Sequence, residues 1–251
     1  MSASPEPTLS GAAFPATRHS VLAAVRGADP EARARALDTL AAAYWKPVYK
    51  HLRLRWRVAP EDAEDLTQGF FARALERELF HRYDPEQARL RTWLRTCLDS
   101  FVANERKAAG RLKRGGGAVL VPLDVPGAER ELEALGAAAP DDPEACFERE
   151  WVRSLFTLAV DRLRARCEAA GKLAHFELFE RYDVEGPGSP GRVTYRELAD
   201  ERGIPVTQVT NHLSVVRRWF REGVLELLRE ISGSEAEFRA EARALLGVDP
   251  P

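Results

Sequence analysis

The sequence has little cysteine, a single methionine and no long apolar run. Its 251 residues include only three cysteines, Cys97, Cys146 and Cys167, which lie far apart and form no C-x-x-C pair. A disulfide framework or a cysteine-based zinc site is therefore not expected, and the three thiols are predicted to be buried small side chains. No apolar stretch reaches membrane-spanning length, so contact with a membrane is not expected.

Signals for export and for catalysis are also missing. The N-terminus lacks the basic start and continuous apolar stretch of a secretory signal, and residues 1–17, rich in Ser, Pro and Ala, are expected to form a disordered leader. A phosphate-binding G-x-x-x-x-G-K-[ST] loop, a nucleophile elbow and an H-E-x-x-H zinc motif are all absent. We therefore expect a cytoplasmic protein that is not an enzyme and that needs no cofactor or metal.

Charge is distributed unevenly along the chain. Residues 1–117 hold 20 Lys and Arg against 14 Asp and Glu, residues 118–145 hold 1 against 7, and residues 146–251 hold 16 against 18. The front of the chain is thus basic, the connector acidic and the back nearly neutral, although the formal net charge is only -2. This asymmetry predicts different partners for different segments.

Helical periodicity dominates the sequence and predicts an all-α fold. Glycines, prolines and acids between 116 and 145 are typical of a linker. We therefore predict two small helical domains, at 18–115 and 146–232, joined by a flexible acidic linker at 116–145. A C-terminal helix and tail at 233–251 follow, opened by a capping-box pattern of Ser234 and Glu237.

The segment 194–231 has the plan of a helix-turn-helix. Thr194 and Glu197 form a capping-box pattern, Gly203 marks a turn, and a second amphipathic helix follows. Its outer face carries amides, hydroxyls and arginines, which suit base edges and phosphates in a major groove. These residues are Thr207, Gln208, Thr210, Asn211, Ser214, Arg217, Arg218 and Arg221. The alternative is an ordinary solvated face of an all-α domain.

A third front-half helix, predicted from about Leu90 to Arg114, is strongly basic. Its cations and aromatics, with Tyr83 in the preceding turn, suit a groove for single-stranded nucleic acid, where cations follow the backbone and rings stack on unpaired bases. The side chains concerned include Arg91, Arg95, Arg106, Lys107, Arg111, Lys113, Arg114, Trp93 and Phe101. The alternative is a surface helix whose aromatics face the core, and we prefer it for Phe101.

The stretch "EDAEDLTQGFFARAL" (61–75) predicts an acidic helix start with two faces. Asp62, Asp65 and Gln68, with Gly69 and Ala72, are predicted on the outer side, and Leu66 and Phe70, among others, on the inner side. Acids at a helix start complement the helix dipole, at about 0.3–1 kcal/mol each at the surface. A metal site is not expected, because most of these carboxylates point outward and no histidine lies near them.

Taken in order, these segments resemble a bacterial RNA polymerase sigma factor of the extracytoplasmic-function (ECF) or ECF-like type of the sigma-70 family. "PEDAEDLTQGFFARAL" is similar to region 2.2, "LRTWLRTCLDSFVANERKAAGRLKR" to regions 2.3 and 2.4, and "TYRELADERGIPVTQVTNHLSVVRRWFREGVLELL" to region 4.2. The resemblance covers about residues 18–115 and 146–231, and it makes these the sigma region 2-like and region 4-like domains.

The resemblance implies a partner for each surface. Asp62, Asp65 and Gln68 would dock on the β′ clamp of core RNA polymerase, and region 4 would meet the β flap. Residues around Thr207 to Arg221 would read the minus-thirty-five promoter element, and the linker would pass near the RNA path. The minus-ten element would be read and opened, with bases flipped from the stack, by Tyr83, Arg91, Trp93, Asn104, Arg106, Lys107 and Arg111. An anti-sigma factor or another regulatory protein is a further candidate partner.

Two residues depart from the family pattern. Gly69 stands where a Glu is usual, and Pro205 stands where a Ser or Thr cap usually precedes the recognition helix. Two other functions also remain open. One is a stand-alone helix-turn-helix regulator that does not bind polymerase, and the other is a sigma-like protein-interaction module that acts by sequestration.

Overall fold

The computed structural model describes residues 21–27, 29–76, 79–109, 123–135, 142–186 and 193–250. Within these ranges the chain forms ten α-helices and no strand, so the predicted all-α class is confirmed. A 3₁₀ turn at Leu79–Arg82 and a π-helical turn at Glu180–Val184 connect some of them. The helices are α1 (Val21–Arg26), α2 (Pro30–Arg55), α3 (Pro60–Glu76), α4 (Leu90–Ala109), α5 (Val125–Leu135), α6 (Pro143–Ala169), α7 (Leu173–Phe179), α8 (Tyr195–Arg202), α9 (Val206–Ile231) and α10 (Glu235–Leu246).

The starts of the two longest front and back helices share one sequence, Asp-Pro-Glu. Asp29 caps α2 and Asp142 caps α6, each by accepting a hydrogen bond from the backbone N–H two residues later. The proline that follows each Asp supplies a backbone angle suited to the first helical turn and lacks an N–H that would need a partner. Pro60 opens α3 in the same position.

The front and back halves of the chain share one hydrophobic core. The first half of α6 packs along α2, with the Tyr44 and Trp151 rings 6.5 Å apart and the His51 and Phe147 rings 5.8 Å apart. The second half of α9 and α10 complete this core through residues such as Leu228. The predicted separation of 18–115 from 146–232 is therefore not found: the two segments bury apolar side chains against each other.

A second, smaller core holds the helix-turn-helix together. It joins the last part of α6 to α7, α8 and the first half of α9, with Leu163, Phe176, Leu198 and Leu213 all buried. α6 and α9 are long enough to contribute one end to each core, at 27 and 26 residues. The boundary between the two cores thus lies within α6 and α9 rather than in the connector.

Part of the predicted linker is a docked helix. Ala128 of α5 is fully buried, and the two inner acids of α5 pair with α2: Glu129 with Arg53 at 2.7 Å, and Glu131 with Lys46 at 2.9 Å. The expectation of a flexible linker is wrong for Val125–Leu135, because its acids find fixed cations on α2. The rest of the predicted linker, except 123–124 and 142–145, and the predicted leader 1–17 lie outside the described residues.

Candidate nucleic-acid interface

The helix-turn-helix has the local geometry that its sequence predicts. Thr194 Oγ1 accepts a hydrogen bond from the Glu197 N–H, and the Glu197 carboxylate accepts one from the Thr194 N–H, which completes the capping box. Gly203 ends α8 with φ +63°, a left-handed conformation that disfavours side chains with a Cβ. α9 begins after Pro205, which makes no side-chain cap.

The outer face of α9 is open to solvent. Val209, Leu213 and Val216 are fully buried on its inner side, which fixes the rotation of the helix. All but one of the residues predicted to read DNA are exposed on the other side. The exposed residues are Thr207, Gln208, Thr210, Asn211, Ser214, Arg218 and Arg221. Amide, hydroxyl and guanidinium groups are therefore presented together on one exposed helix face.

Arg217 is the exception on α9. Its guanidinium makes two 2.8 Å hydrogen bonds to the carboxylate of Asp183 and one of 3.0 Å to the hydroxyl of Tyr195. Mainly because of the hydrogen bonds to Asp183, the pKa of Arg217 lies above its ordinary value. The side chain links α9 to α8 and to the π-helical turn, so its guanidinium is engaged within the protein although the side chain is 39% exposed.

The acidic start of α3 lines a surface groove. Asp62 and Asp65 are exposed, and Gln68 is half-buried. The groove of about 460 Å³ lies between these two acids and the side chains of Arg57 and Arg106. Among the described residues, Arg57 is the one non-glycine with a left-handed backbone, at φ 50°. The predicted outer position of Ala72 is wrong, because its exposed fraction is only 9%.

Two of the predicted minus-ten residues are buried. Tyr83 is 3% exposed, and its hydroxyl lies 3.0 Å from the carbonyl of Ala88 and 3.2 Å from Oε2 of Glu237. Arg91 is 8% exposed and lies over the ring of Trp151 at 4.5 Å. The expectation that these side chains are presented to DNA is wrong for this arrangement, because α6 and α10 cover them.

Ion pairing dominates the surroundings of Arg91. Burial lowers the pKa of its guanidinium, but the carboxylates of Glu241 and Glu148 raise it by more, so the pKa lies above its ordinary value. Burial also raises the pKa of Tyr83, with Glu237 adding to the effect. Both groups therefore keep their protons at neutral pH.

A half-open cavity of about 500 Å³ lies between α3, the 3₁₀ turn and α4. Trp93 and Asn104, both predicted from the sequence, line it together with Phe101, Arg73 and Arg82. The guanidinium of Arg73 lies 5.5 Å from the Phe101 ring. Arg73 and Arg82 are not predicted from the sequence, because no periodicity marks which cations of α3 and of the 3₁₀ turn face α4. Aromatic rings and guanidinium groups around an open cavity suit an unpaired base.

Two of the remaining predicted cations, Arg106 and Lys107, lie beyond this cavity on α4. Arg106 is exposed, stacks on the ring of Trp56 at 4.8 Å and donates a hydrogen bond to the Trp56 carbonyl at 2.6 Å. Lys107 is exposed as well. Arg111 lies outside the described residues, as do the other basic residues at the predicted end of this helix.

The cysteines carry no sign of reactivity. Cys146 and Cys167 are buried, whereas Cys97 is half-buried, so the prediction for Cys97 is correct only in part. Burial raises the pKa of the Cys97 thiol to about 11, so it is protonated at neutral pH. In the described parts of the chain, no group of three or more His, Cys, Asp or Glu side chains could hold a metal ion.

Comparisons with protein-family models, with curated proteins and with solved structures find no match to this chain. In the described part of the chain, no helix combines the length and apolar character that a bilayer crossing requires.

Proposed function

We propose that this protein acts as a sigma-like transcription initiation factor. It binds core RNA polymerase through α3, reads duplex promoter DNA through α9 and holds an unpaired base beside α4. The open face of α9 carries this proposal: it joins the exposed groups of Gln208, Asn211 and Arg218 on one side of a capped helix-turn-helix. These are the chemical groups that read base edges and contact phosphates.

Two further surfaces support a sigma-like role over a simpler DNA-binding one. The exposed carboxylates of Asp62 and Asp65 offer a docking surface to a basic partner, as the family resemblance implies for the polymerase clamp. The cavity beside Trp93 and Asn104 suits a base removed from the stack. A duplex reader that does not open DNA has no need of such a cavity.

Reconstitution tests the proposal directly. The purified full chain is mixed with core RNA polymerase of the organism that encodes it, and transcription is measured on a pool of promoter fragments from that organism's genome. We expect a stable complex and specific transcripts that core polymerase alone does not make. Absence of any complex with core polymerase would contradict the proposal.

Charge reversal tests the docking surface. The double variant Asp62→Lys/Asp65→Lys is expected to lose binding to core polymerase and transcription, while duplex DNA binding by the isolated protein is unchanged. The matched control is Asp38→Lys/Glu86→Lys, which reverses two exposed acids elsewhere on the surface. Equal losses in both variants would point to net charge rather than to α3 as the cause.

A second candidate is a stand-alone helix-turn-helix regulator. The burial of Tyr83 and Arg91 favours it, because α9 is open in the same structure in which these two side chains are covered. This alternative predicts specific duplex binding without polymerase and no effect of α3 charge reversal on function. A third outcome, no promoter binding even with core polymerase, would favour a module that acts by sequestration.

A further inference from the structure

Three arginines around the start of α4 each meet a carboxylate from the back of the chain. Arg89 Nη1 lies 3.0 Å from Glu241 Oε1, and Arg95 Nη2 lies 2.9 Å from Glu144 Oε2. Arg91, between them, contacts both Glu148 and Glu241. The carboxylates come from α6 and α10. Acids of two helices in the back half therefore form ion pairs with the arginines at the start of α4.

A fourth carboxylate occupies the N-terminus of α4. Glu237 Oε1 accepts a hydrogen bond of 2.8 Å from the N–H of Leu90, the first residue of α4. The free N–H groups and the dipole of a helix favour an anion at this position. The other oxygen of Glu237 accepts from the Gly233 N–H at 2.7 Å and lies 3.2 Å from the Tyr83 hydroxyl. The predicted capping box of Ser234 and Glu237 is thus only half formed, because the Glu237 side chain turns to the front half.

We propose that these four acids, Glu144, Glu148, Glu237 and Glu241, form an acidic cover that occupies a phosphate-binding surface at the start of α4, and that single-stranded DNA must displace it. The proposal rests on the proposed function in one respect, namely that the displacing polyanion is promoter DNA. The cover makes the contacts that a nucleic-acid strand would make: anions on a row of arginines and an anion at a helix N-terminus.

The energetics of the cover suit a displaceable contact. Its rim is partly open: the side chain of Glu144, which pairs with Arg95, is 67% exposed, and that of Arg89, which pairs with the buried Glu241, is 49% exposed. The Arg95–Glu144 pair therefore contributes little to stability. Its centre is buried, with the side chains of Glu241 and Arg91 only 3% and 9% exposed. Desolvation of a buried pair offsets most of its attraction, so exchange of one anion for another changes the energy less than loss of the anion.

An isosteric substitution that removes two negative charges opens the cover from within. In the double variant Glu237→Gln/Glu241→Gln, the amide oxygen at 237 still accepts from Leu90, while both buried negative charges are lost. The matched control is Glu226→Gln/Glu235→Gln, at exposed positions of α9 and α10. Binding is measured by fluorescence anisotropy of a labelled, mixed-sequence single-stranded DNA oligonucleotide on the full chain.

We expect the opened variant to bind the oligonucleotide about tenfold more tightly, since the binding-competent fraction of the chain rises. Its affinity should also depend more steeply on salt, by about 0.7 in the logarithmic slope for each newly contacted phosphate. The control variant should bind like the unmodified chain. Adding Arg91→Gln to the Glu237→Gln/Glu241→Gln variant should return its affinity for the oligonucleotide to that of the unmodified chain.

A steric variant opens the cover without any change of charge. A Cβ at Gly233 would lie 2.4 Å from both Cε1 and the hydroxyl oxygen of Tyr83, so Gly233→Ala should push the start of α10 away from the front half. Gly223→Ala is the matched control, because a Cβ there meets nothing within 4 Å. Amide hydrogen exchange of α10 and of Leu90 reports whether each variant opens.

The unmodified protein supplies a test that does not depend on any variant. Saturation with the oligonucleotide should increase amide exchange in α10, since the DNA takes its place on α4. The proposal is overturned if α10 stays equally protected in the DNA complex. It is also overturned if the variants expose α10 without tighter DNA binding, or if neither variant exposes α10.

The outcomes separate this inference from the proposed function. Displacement of α10 by the oligonucleotide, with no complex between the chain and core polymerase, would support the cover and contradict the sigma-like role. Polymerase-dependent transcription with α10 protected throughout would support the sigma-like role and contradict the cover.

Discussion

Lys50 Nζ lies 2.7 Å from Glu150 Oε2, and the two side chains are only 1% and 5% exposed. The same ammonium lies 2.5 Å from Oε2 of Glu131. The three residues come from α2, α6 and α5, which are the predicted front domain, back domain and linker. One buried cation therefore links three segments that composition alone assigns to separate units.

Removal of this cation should destabilise the protein strongly. Lys50→Met leaves the buried Glu150 carboxylate without its main partner, and we expect a loss of about 3–5 kcal/mol in the free energy of unfolding. Lys50→Met/Glu150→Leu removes both buried charges and should recover much of that loss, while Glu131 keeps its pair with Lys46. Urea unfolding followed by circular dichroism measures both. Equal losses in the two variants would show that packing, not the orphaned charge, is responsible.

Substitutions on α9 should separate readers of DNA from residues that brace the fold. Asn211→Ala should weaken binding to a duplex selected from a random pool by about 1–3 kcal/mol, and less so to unrelated duplexes. Arg218→Ala should weaken binding to all duplexes and reduce the salt slope by about 0.9.

Arg217→Ala provides the contrast on the same helix. Because this side chain is held by Asp183 and Tyr195, we expect a lower unfolding midpoint and little change in the salt slope of duplex binding. Titrations at several salt concentrations, with thermal unfolding of each variant, distinguish the roles. A fall in salt slope for Arg217→Ala as large as that for Arg218→Ala would contradict the assignment.

Glycine substitutions should change stability in opposite directions according to backbone conformation. A Cβ at Gly69 of α3 meets only Phe101 Cζ, at 3.6 Å, so Gly69→Ala should stabilise the protein by about 0.5–1 kcal/mol. Gly203→Ala should destabilise it, because φ +63° is unfavourable for a residue with a Cβ. Unfolding in urea checks the signs. Stabilisation by Gly203→Ala would contradict the left-handed turn before α9.

His51 should make the protein less stable in mild acid. Burial lowers the pKa of His51 below its ordinary value of 6.5, and the nearby charges of Arg95 and Arg55 lower it further. The hydrogen bond to Asp99 raises the pKa, but by less than the other effects lower it. Its Nδ1 atom is buried and has no hydrogen-bond partner in the described structure. The unfolded chain therefore binds a proton more readily than the folded chain.

The sign of the pH effect follows from this difference in proton binding. Stability from His51 is fully present above the unfolded pKa of 6.5 and is lost as the pH falls toward the lower folded value. His51→Gln should flatten the fall in unfolding free energy between about pH 7.5 and pH 5.5. An unchanged slope would show that other groups are responsible, of which His175, whose pKa is lowered mainly by burial, is the first to test.

Local sequence signals predicted the boundaries of the first helix of the helix-turn-helix. Thr194 and Glu197 cap the start of α8, and Gly203 ends it in a left-handed conformation, because both signals act within a few residues of chain. α9 then begins after Pro205 without a side-chain cap, at the position where the sequence lacks the usual Ser or Thr.

The candidate site was predicted in part. The inner and outer faces of α9 follow from its 3.6-residue period, and all its predicted readers except Arg217 are exposed. On α4 the same periodicity does not predict which cations are exposed. Arg91 follows Leu90 and lies beside the buried stripe of Leu94 and Leu98, so helices that pack on this stripe can also cover Arg91. Periodicity shows which face of a helix is apolar but not which distant element packs beside it.

The sequence by itself determined the all-helical class, the capped helix-turn-helix and the exposed chemistry of α9, because these depend on contacts between near neighbours in the chain. Only the tertiary structure decided that Glu237 would meet Tyr83, 154 residues away, and that Lys50 would join three segments. A buried charge needs an opposite charge or hydrogen-bond donors beside it, and the packing of whole helices decides which groups supply them. This packing of α6, α9 and α10 against the front half joins the two predicted domains in one core and covers the cations at the start of α4.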